Sequence, residues 1–128
     1  MIEQIHPDRI PGIWGEIRAL ILKGLEYTYG DWEERDVLLA LLAGQMQLWR
    51  CAEAVCITRI LNYPRKSWCE FFIVAGVNRE KWLSYEAVIL QWARERGCVG
   101  GRQHGRKGWE KAAPEGWEVK FIEMQKEI

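Results

Sequence analysis

Read from its amino end, the chain changes hydrophobic period three times. From Pro11 to Gly30, apolar side chains recur at Ile13, Ile17, Leu20, Ile21 and Leu25. That spacing of three and four predicts an amphipathic helix, with Pro11 in its first turn and Gly30 beyond its end. "DWEERDVLLALLAG" predicts a second helix that opens on Asp31, has Glu34 three positions on and stops near Gly44. The period then shortens to two. "QMQLWR" alternates, "AEAVCITRILNY" is rich in β-branched residues, and "SWCEFFIVAG" is the nearly unbroken apolar run of a buried strand. Short links between these three predict an antiparallel meander, with Pro64, Arg65 and Lys66 at its last turn. Helical spacing returns in "REKWLSYEAVILQWARERG", where Trp82, Tyr85, Val88, Ile89, Trp92 and Ala93 share a stripe and Gly97 is the stop signal. "CVGGRQH" predicts a short strand, "GRKGWEKAA" one short helix broken by Pro114, and "WEVKFIEMQ" a final strand with Trp117, Val119, Phe121 and Glu123 on one side. A small strand before the first helix completes the list. The order α-α-β-β-β-α-β-α-β predicts an α/β (α+β layered) domain, its helices packed on a mainly antiparallel mixed sheet.

Length and composition narrow this picture. The 128 residues fit one domain, 1–128, and one site. Eighteen basic residues balance eighteen acidic ones, so no global charge points to nucleic acid. Eight tryptophans exceed what such a core uses, which places several near the surface and implies a protein partner. Cys51, Cys56, Cys69 and Cys98 form no C-x-x-C pair and have no histidine at ligand spacing, so no metal site is expected and reduced thiols are. No stretch nears the roughly 18 apolar residues of a membrane span, and no leader pattern opens the chain. The expected location is the cytoplasm.

Two places carry candidate chemistry. Glu70 interrupts the run "SWCEFF". A half-buried carboxylate there can have its pKa raised into the working range of a general base, whereas a strand carboxylate facing water does nothing of the kind. The second place is the glycine-rich stretch from Gly97. Between Arg94 and Lys111 six basic side chains face two acidic ones. Gly100 and Gly105 have the first spacing of a P-loop, but Arg106, Lys107 and Gly108 follow, without the hydroxyl that holds magnesium. Arg102, Arg106 and Lys107 with Trp109 instead have the make-up of an interface anchor, although charge runs are also ordinary solvated loops.

Taken in order, "GQMQLW", "VCITRILNYP", "WARERGC", "GRKGWEK" and "GWEV" resemble the GNAT superfamily of acyl-CoA-dependent N-acyltransferases across almost the whole chain. Within it they are most similar to GNAT-like proteins encoded by tailed bacteriophages. The resemblance implies a GNAT fold and, for an active member, acetyl-CoA and an amine acceptor. It implies that the turn "AGVNREKW" meets the cofactor pyrophosphate, through Val74, Gly76, Asn78, Arg79 and Lys81, at the amino end of the long helix. Helix amides and partial positive charge stabilise an anion there. The family's pattern is incomplete in this chain. Only Gly76 is small where the phosphates touch backbone, and Ala112, Ala113 and Pro114 stand where active members carry the tyrosine that protonates the leaving thiolate. Tyr85 and Cys98 are the phenol and thiol left for that role. The expected function is therefore a phage GNAT-like protein that uses no cofactor and binds a virion or host protein, in the host cytoplasm or in the particle. An active N-acetyltransferase, with Glu70 as base, and a regulator of a host enzyme are the alternatives.

Overall fold

The computed structural model describes residues 1–76, 78–104 and 115–128. Its elements are β1 (Glu3–Ile5), a single 3-10 turn (Pro7–Arg9), α1 (Ile10–Leu25), a second 3-10 turn (Glu26–Thr28), α2 (Glu34–Leu42), β2 (Gln47–Arg50), β3 (Val55–Asn62), β4 (Ser67–Ala75), α3 (Arg79–Glu95) and β5 (Cys98–Arg102). The strands form one sheet in sequence order. The expected meander is present, β1 through β4 pairing antiparallel. β5 joins β4 in parallel, as it must after the long crossover through α3.

Strand alternation sends side chains to two cores. On one face Ile10, Trp14, Ile17, Ile21 and Leu25 of α1, with Val37 and Leu41 of α2, pack on Leu48, Val55, Ile57 and Ile73. On the other face Tyr85, Ile89 and Ala93 of α3 pack on Trp49, Cys56, Cys69, Phe71 and Cys98. A bulge in β4 sets the change of face. Ile57 pairs with Ile73 and Thr58 with Phe71, so Phe72 is the extra residue. The α1 and α2 layer is tied by Glu34, which accepts from Trp14 Nε1 at 2.7 Å and from Arg18 Nε at 2.7 Å.

Two expectations need correction. The second helix is capped two residues later than Asp31, whose amide closes the turn after α1 on Thr28 at 3.1 Å. Glu33 is the N-cap, its amide donating to Asp36 Oδ2 at 2.9 Å. The segment after Glu115 is not a strand: Val119 is 52% exposed and Phe121 66%, so its alternation has no buried face to hold a register. Of the described tryptophans, Trp14 and Trp49 are buried, and Trp32, Trp68, Trp82, Trp92 and Trp117 are half-buried, near the surface. The short helix expected between Gly105 and Pro114 lies outside the described residues.

Two glycines of α1 have opposite roles. A Cβ at Gly24 would lie 2.5 Å from Ile73 Cγ2, whereas one at Gly15 would meet nothing within 4 Å. Gly15→Ala is expected to stabilise the domain by about 0.5–1 kcal/mol through helix propensity, because it adds no clash. In Gly24→Ala the same gain meets overpacking worth about 1–3 kcal/mol, and a net loss is expected. Urea unfolding followed by circular dichroism measures both, and equal effects would contradict the packing described.

Candidate functional site

β4 is nine residues long and β5 five. Their pairing begins at Ser67 with Cys98 and stops at Glu70 with Arg102. Beyond that point, Phe71 to Ala75 have β3 on one side and, among the described residues, no strand on the other. The sheet therefore opens into a wedge between β4, the end of β5 and α3.

Glu70 stands at the point where the strands part. It is only 3% exposed, which rules out the water-facing reading of this carboxylate. Its face of the sheet is that of α1 and α2, because Cys69 and Phe71 belong to the opposite core. Directly across on β3, Arg59 Nε pairs with Glu70 Oε2. The Arg59 guanidinium also lies 5.6 Å from the Trp32 ring and 5.5 Å from that of Phe72. The second oxygen of Glu70 is 3.6 Å from His104 Nδ1, and His104 Nε2 is 2.8 Å from Glu123 Oε2. Arg59, Glu70, His104 and Glu123 thus form one polar chain on an otherwise apolar face. Burial without such partners would be costly, and the cation directly opposite makes it tolerable.

The far end of the wedge is the amino terminus of α3. Val74 is half-buried against the α3 core. Gly76 has φ +76°, and a Cβ there would collide with the Glu53 carbonyl oxygen, so glycine is required by the fold before any ligand is considered. Asn78 is the N-cap, its Oδ1 accepting from the Glu80 amide at 2.8 Å. The amides of Lys81 and Trp82 both donate to the Asn78 carbonyl at 3.1 Å. Two orphan donors of the first turn, the Glu80 and Lys81 amides, are therefore engaged within the chain, and the Trp82 bond is the first regular bond of the helix. Arg79 is the first helical residue. Lys81 Nζ is 3.6 Å from Glu53 Oε1. Tyr85 donates its hydroxyl to that same oxygen at 2.8 Å. This bond holds the Glu53 carboxyl below the usual carboxylate range, with the nearby Lys81 charge acting in the same direction, and raises the Tyr85 phenol above its usual value. Cys98 is buried, and burial raises its thiol. The phenol and the thiol left by the sequence as proton donors are thus engaged or desolvated, and the Cys69 thiol is pushed up to about 12, chiefly by burial.

Two features of the wedge had no sequence signal. Trp117 lies edge-on to Phe71 with ring centroids 5.8 Å apart, and its ring comes so close to Gly101 that a Cβ there would be 3.0 Å away. Its Nε1 donates to Glu86 Oε1 at 2.5 Å. Glu86 itself is 8% exposed on the inner side of α3, where helical spacing predicts an apolar residue, and burial raises its pKa. Of the expected basic cluster, Arg102 lies among the described residues. It ends β5, stacked 4.3 Å from the Trp68 ring. Arg106, Lys107 and Trp109 lie outside the described residues.

No protein-family model matches the sequence, and no relative among the curated proteins does. Among solved structures, the chain matches a possible acetyltransferase from Clostridium difficile 630 over 100% of its own length and 97% of that chain, at 15% identity and TM-score 0.64. It matches a probable acetyltransferase over 100% and 97%, at 14% identity and TM-score 0.67. A GCN5-related N-acetyltransferase from Ralstonia eutropha JMP134 matches over 100% and 97%, at 15% identity and TM-score 0.57. The chain has the GNAT fold. Identities this low carry the architecture alone, and the function hosted on a GNAT fold has to be argued from its site.

Two stability effects follow from the buried carboxylates. Arg59→Met leaves Glu70 without its cation and is expected to cost about 3–5 kcal/mol in urea unfolding at neutral pH, and a cost below about 1 kcal/mol would show the pair to be solvated. The folded pKa of Glu86 is raised above its unfolded value, so its ionisation penalises the fold fully above the folded pKa. That penalty disappears as pH falls through the folded pKa and below the unfolded one. Glu86→Gln, which keeps an acceptor for Trp117, should therefore match or exceed the wild type at neutral pH and lose ground to it as pH is lowered. Stability curves that run parallel at all pH values would contradict this.

Proposed function

We propose that this chain is a GNAT-fold protein of the phage-encoded kind whose acyl-CoA site is degenerate, and that it acts by binding another protein, in the virion or in the host. The observation that carries the proposal is the self-capped amino end of α3. An anion held at a helix terminus needs free amides and is repelled by carboxylates. Here the Glu80 and Lys81 amides are engaged by Asn78, Glu80 sits in the first turn and Glu53 lies against Lys81. Of Val74, Gly76, Asn78, Arg79 and Lys81, Asn78 would thus offer a pyrophosphate an occupied cap and Lys81 a shared cation. The Trp117 ring supports the same reading, since it fills space beside Phe71 and Gly101 where the strands diverge. The binding function falls to the basic end of β5 and the stretch after it, through Arg102, Arg106, Lys107 and Trp109.

One observation favours a second reading, an acetyl-CoA-dependent N-acetyltransferase. Glu70 is a buried carboxylate at the point where the strands part, where it could take an amine proton. Its pairing with Arg59 leaves it acceptor capacity, but commits one oxygen. A role as regulator of a host enzyme is a variant of the first reading and differs from it only in the partner.

Calorimetric titration of the full chain with acetyl-CoA and with coenzyme A separates these readings. No measurable heat is expected, and micromolar binding would overturn the degenerate site in favour of the transferase. Asn78→Gly combined with Glu80→Gln frees the Glu80 amide at a cap cost of only a few tenths of a kcal/mol. This variant is expected to bind acetyl-CoA more tightly than the wild type, and an unchanged titration would remove the cap as the obstacle.

A further inference from the structure

Three arginines lie on the sheet strands, and two of them are matched. Arg50 Nη1 is 2.8 Å from Glu16 Oε2, and Arg59 pairs with Glu70. Arg102 has no carboxylate partner among the described residues. Its guanidinium is instead surrounded by rings, 4.3 Å from Trp68, 5.1 Å from Tyr63 and 5.9 Å from Phe121. Stacking of this kind fixes the plane of the guanidinium and leaves the edge that carries its N–H donors free to fork onto a carboxylate.

The neighbouring turn repeats the pattern. Tyr63 donates its amide to Lys66 at 2.9 Å, closing a tight hairpin over Pro64 and Arg65, and Ser67 Oγ donates to Asn62 Oδ1 at 2.6 Å just below it. Arg65 and Lys66 are exposed on this braced turn, again without a carboxylate among the described residues. Three nearby carboxylates in sequence or register are engaged elsewhere: Glu70 by Arg59, Glu123 by His104, and Glu118 by Lys120 at 2.8 Å. Arg102 therefore lies against three rings, and two more unmatched cations stand on the turn that follows Tyr63; of the rings, Tyr63 is 49% exposed and Phe121 66%.

We infer that this end of the sheet, formed by Tyr63, Arg65, Lys66, Trp68, Arg102 and Phe121, docks a short acidic segment of a partner protein. Carboxylates of the segment meet Arg102 and the turn cations, and an apolar side chain beside them lies on Tyr63 and Phe121. A protein segment fits better than nucleic acid. Polyphosphate binding draws on many phosphate contacts and a basic field, and this chain has formal net charge +0. The inference rests on the protein-binding reading proposed above and gives that partner its chemistry.

The test is fluorescence anisotropy of the full chain with a labelled glutamate-rich peptide carrying one leucine, at low and at moderate salt. Saturable, salt-sensitive binding is expected. Arg102→Met, and separately Arg65→Glu with Lys66→Glu, should each weaken it at least about tenfold, with circular dichroism unchanged. Arg35→Glu, on exposed α2, should leave it intact. The turn variant lies on the surface, so it decides the matter even if Arg102→Met fails to fold. Binding indifferent to the turn charges, or no binding, overturns the surface. Tighter binding to a short oligothymidylate than to the peptide overturns the choice of partner. Failure here with no acetyl-CoA binding removes only this surface, whereas acetyl-CoA binding removes the reading on which it rests.

Discussion

The domain depends on the length difference between β4 and β5. A strand of nine residues pairs in parallel with one of five, and the ladder ends at Glu70 and Arg102. Everything characteristic of the site sits where the ladder stops. Glu70 is carried inward at the last paired position, Arg102 is released at the end of its strand, and the unpaired half of β4 leads to the start of α3. A parallel crossover needs a long connection, so α3 must begin at the far end of that unpaired half and come back over it. The wedge is thus a consequence of topology before any side chain is chosen.

What fills the wedge is chemistry particular to this chain. A general acyl-transfer cleft calls for open amides at the helix end and space between the strands. Here Asn78 closes the helix end, Glu53 and Glu80 make its surroundings acidic, and Trp117 lies between Phe71 and α3. Gly76 remains as the one small residue of that turn, and its retention has an internal cause: its positive φ and the adjacent Glu53 carbonyl admit no Cβ. A glycine in the expected place is therefore no evidence of a ligand.

Charge is distributed with the same economy. Four sheet and helix cations are matched at close range, Arg18 with Glu34, Arg50 with Glu16, Arg59 with Glu70 and Lys81 with Glu53. Among the unmatched cations of the described residues, Arg102 stands out by position, because its guanidinium lies against Tyr63, Trp68 and Phe121.

Periodicity by itself determined the element order from β1 to β5, the meander and the helical stripes, because a buried face imposes its own spacing on each element. The burial of two carboxylates turned on partners distant in the chain. Whether Glu70 faces water or the core is invisible in "SWCEFF", and it was decided by Arg59 across the ladder and by the bulge at Phe72. Glu86 stands at an inward position of α3, where Trp117, far along the chain, donates to it. The last segment alternates as a strand should, yet forms none, since alternation fixes a register only when one face finds something to bury it. Local pattern is written in the sequence of each element. Burial of a polar group depends on which side chains the tertiary fold brings opposite it, and that only the structure decided.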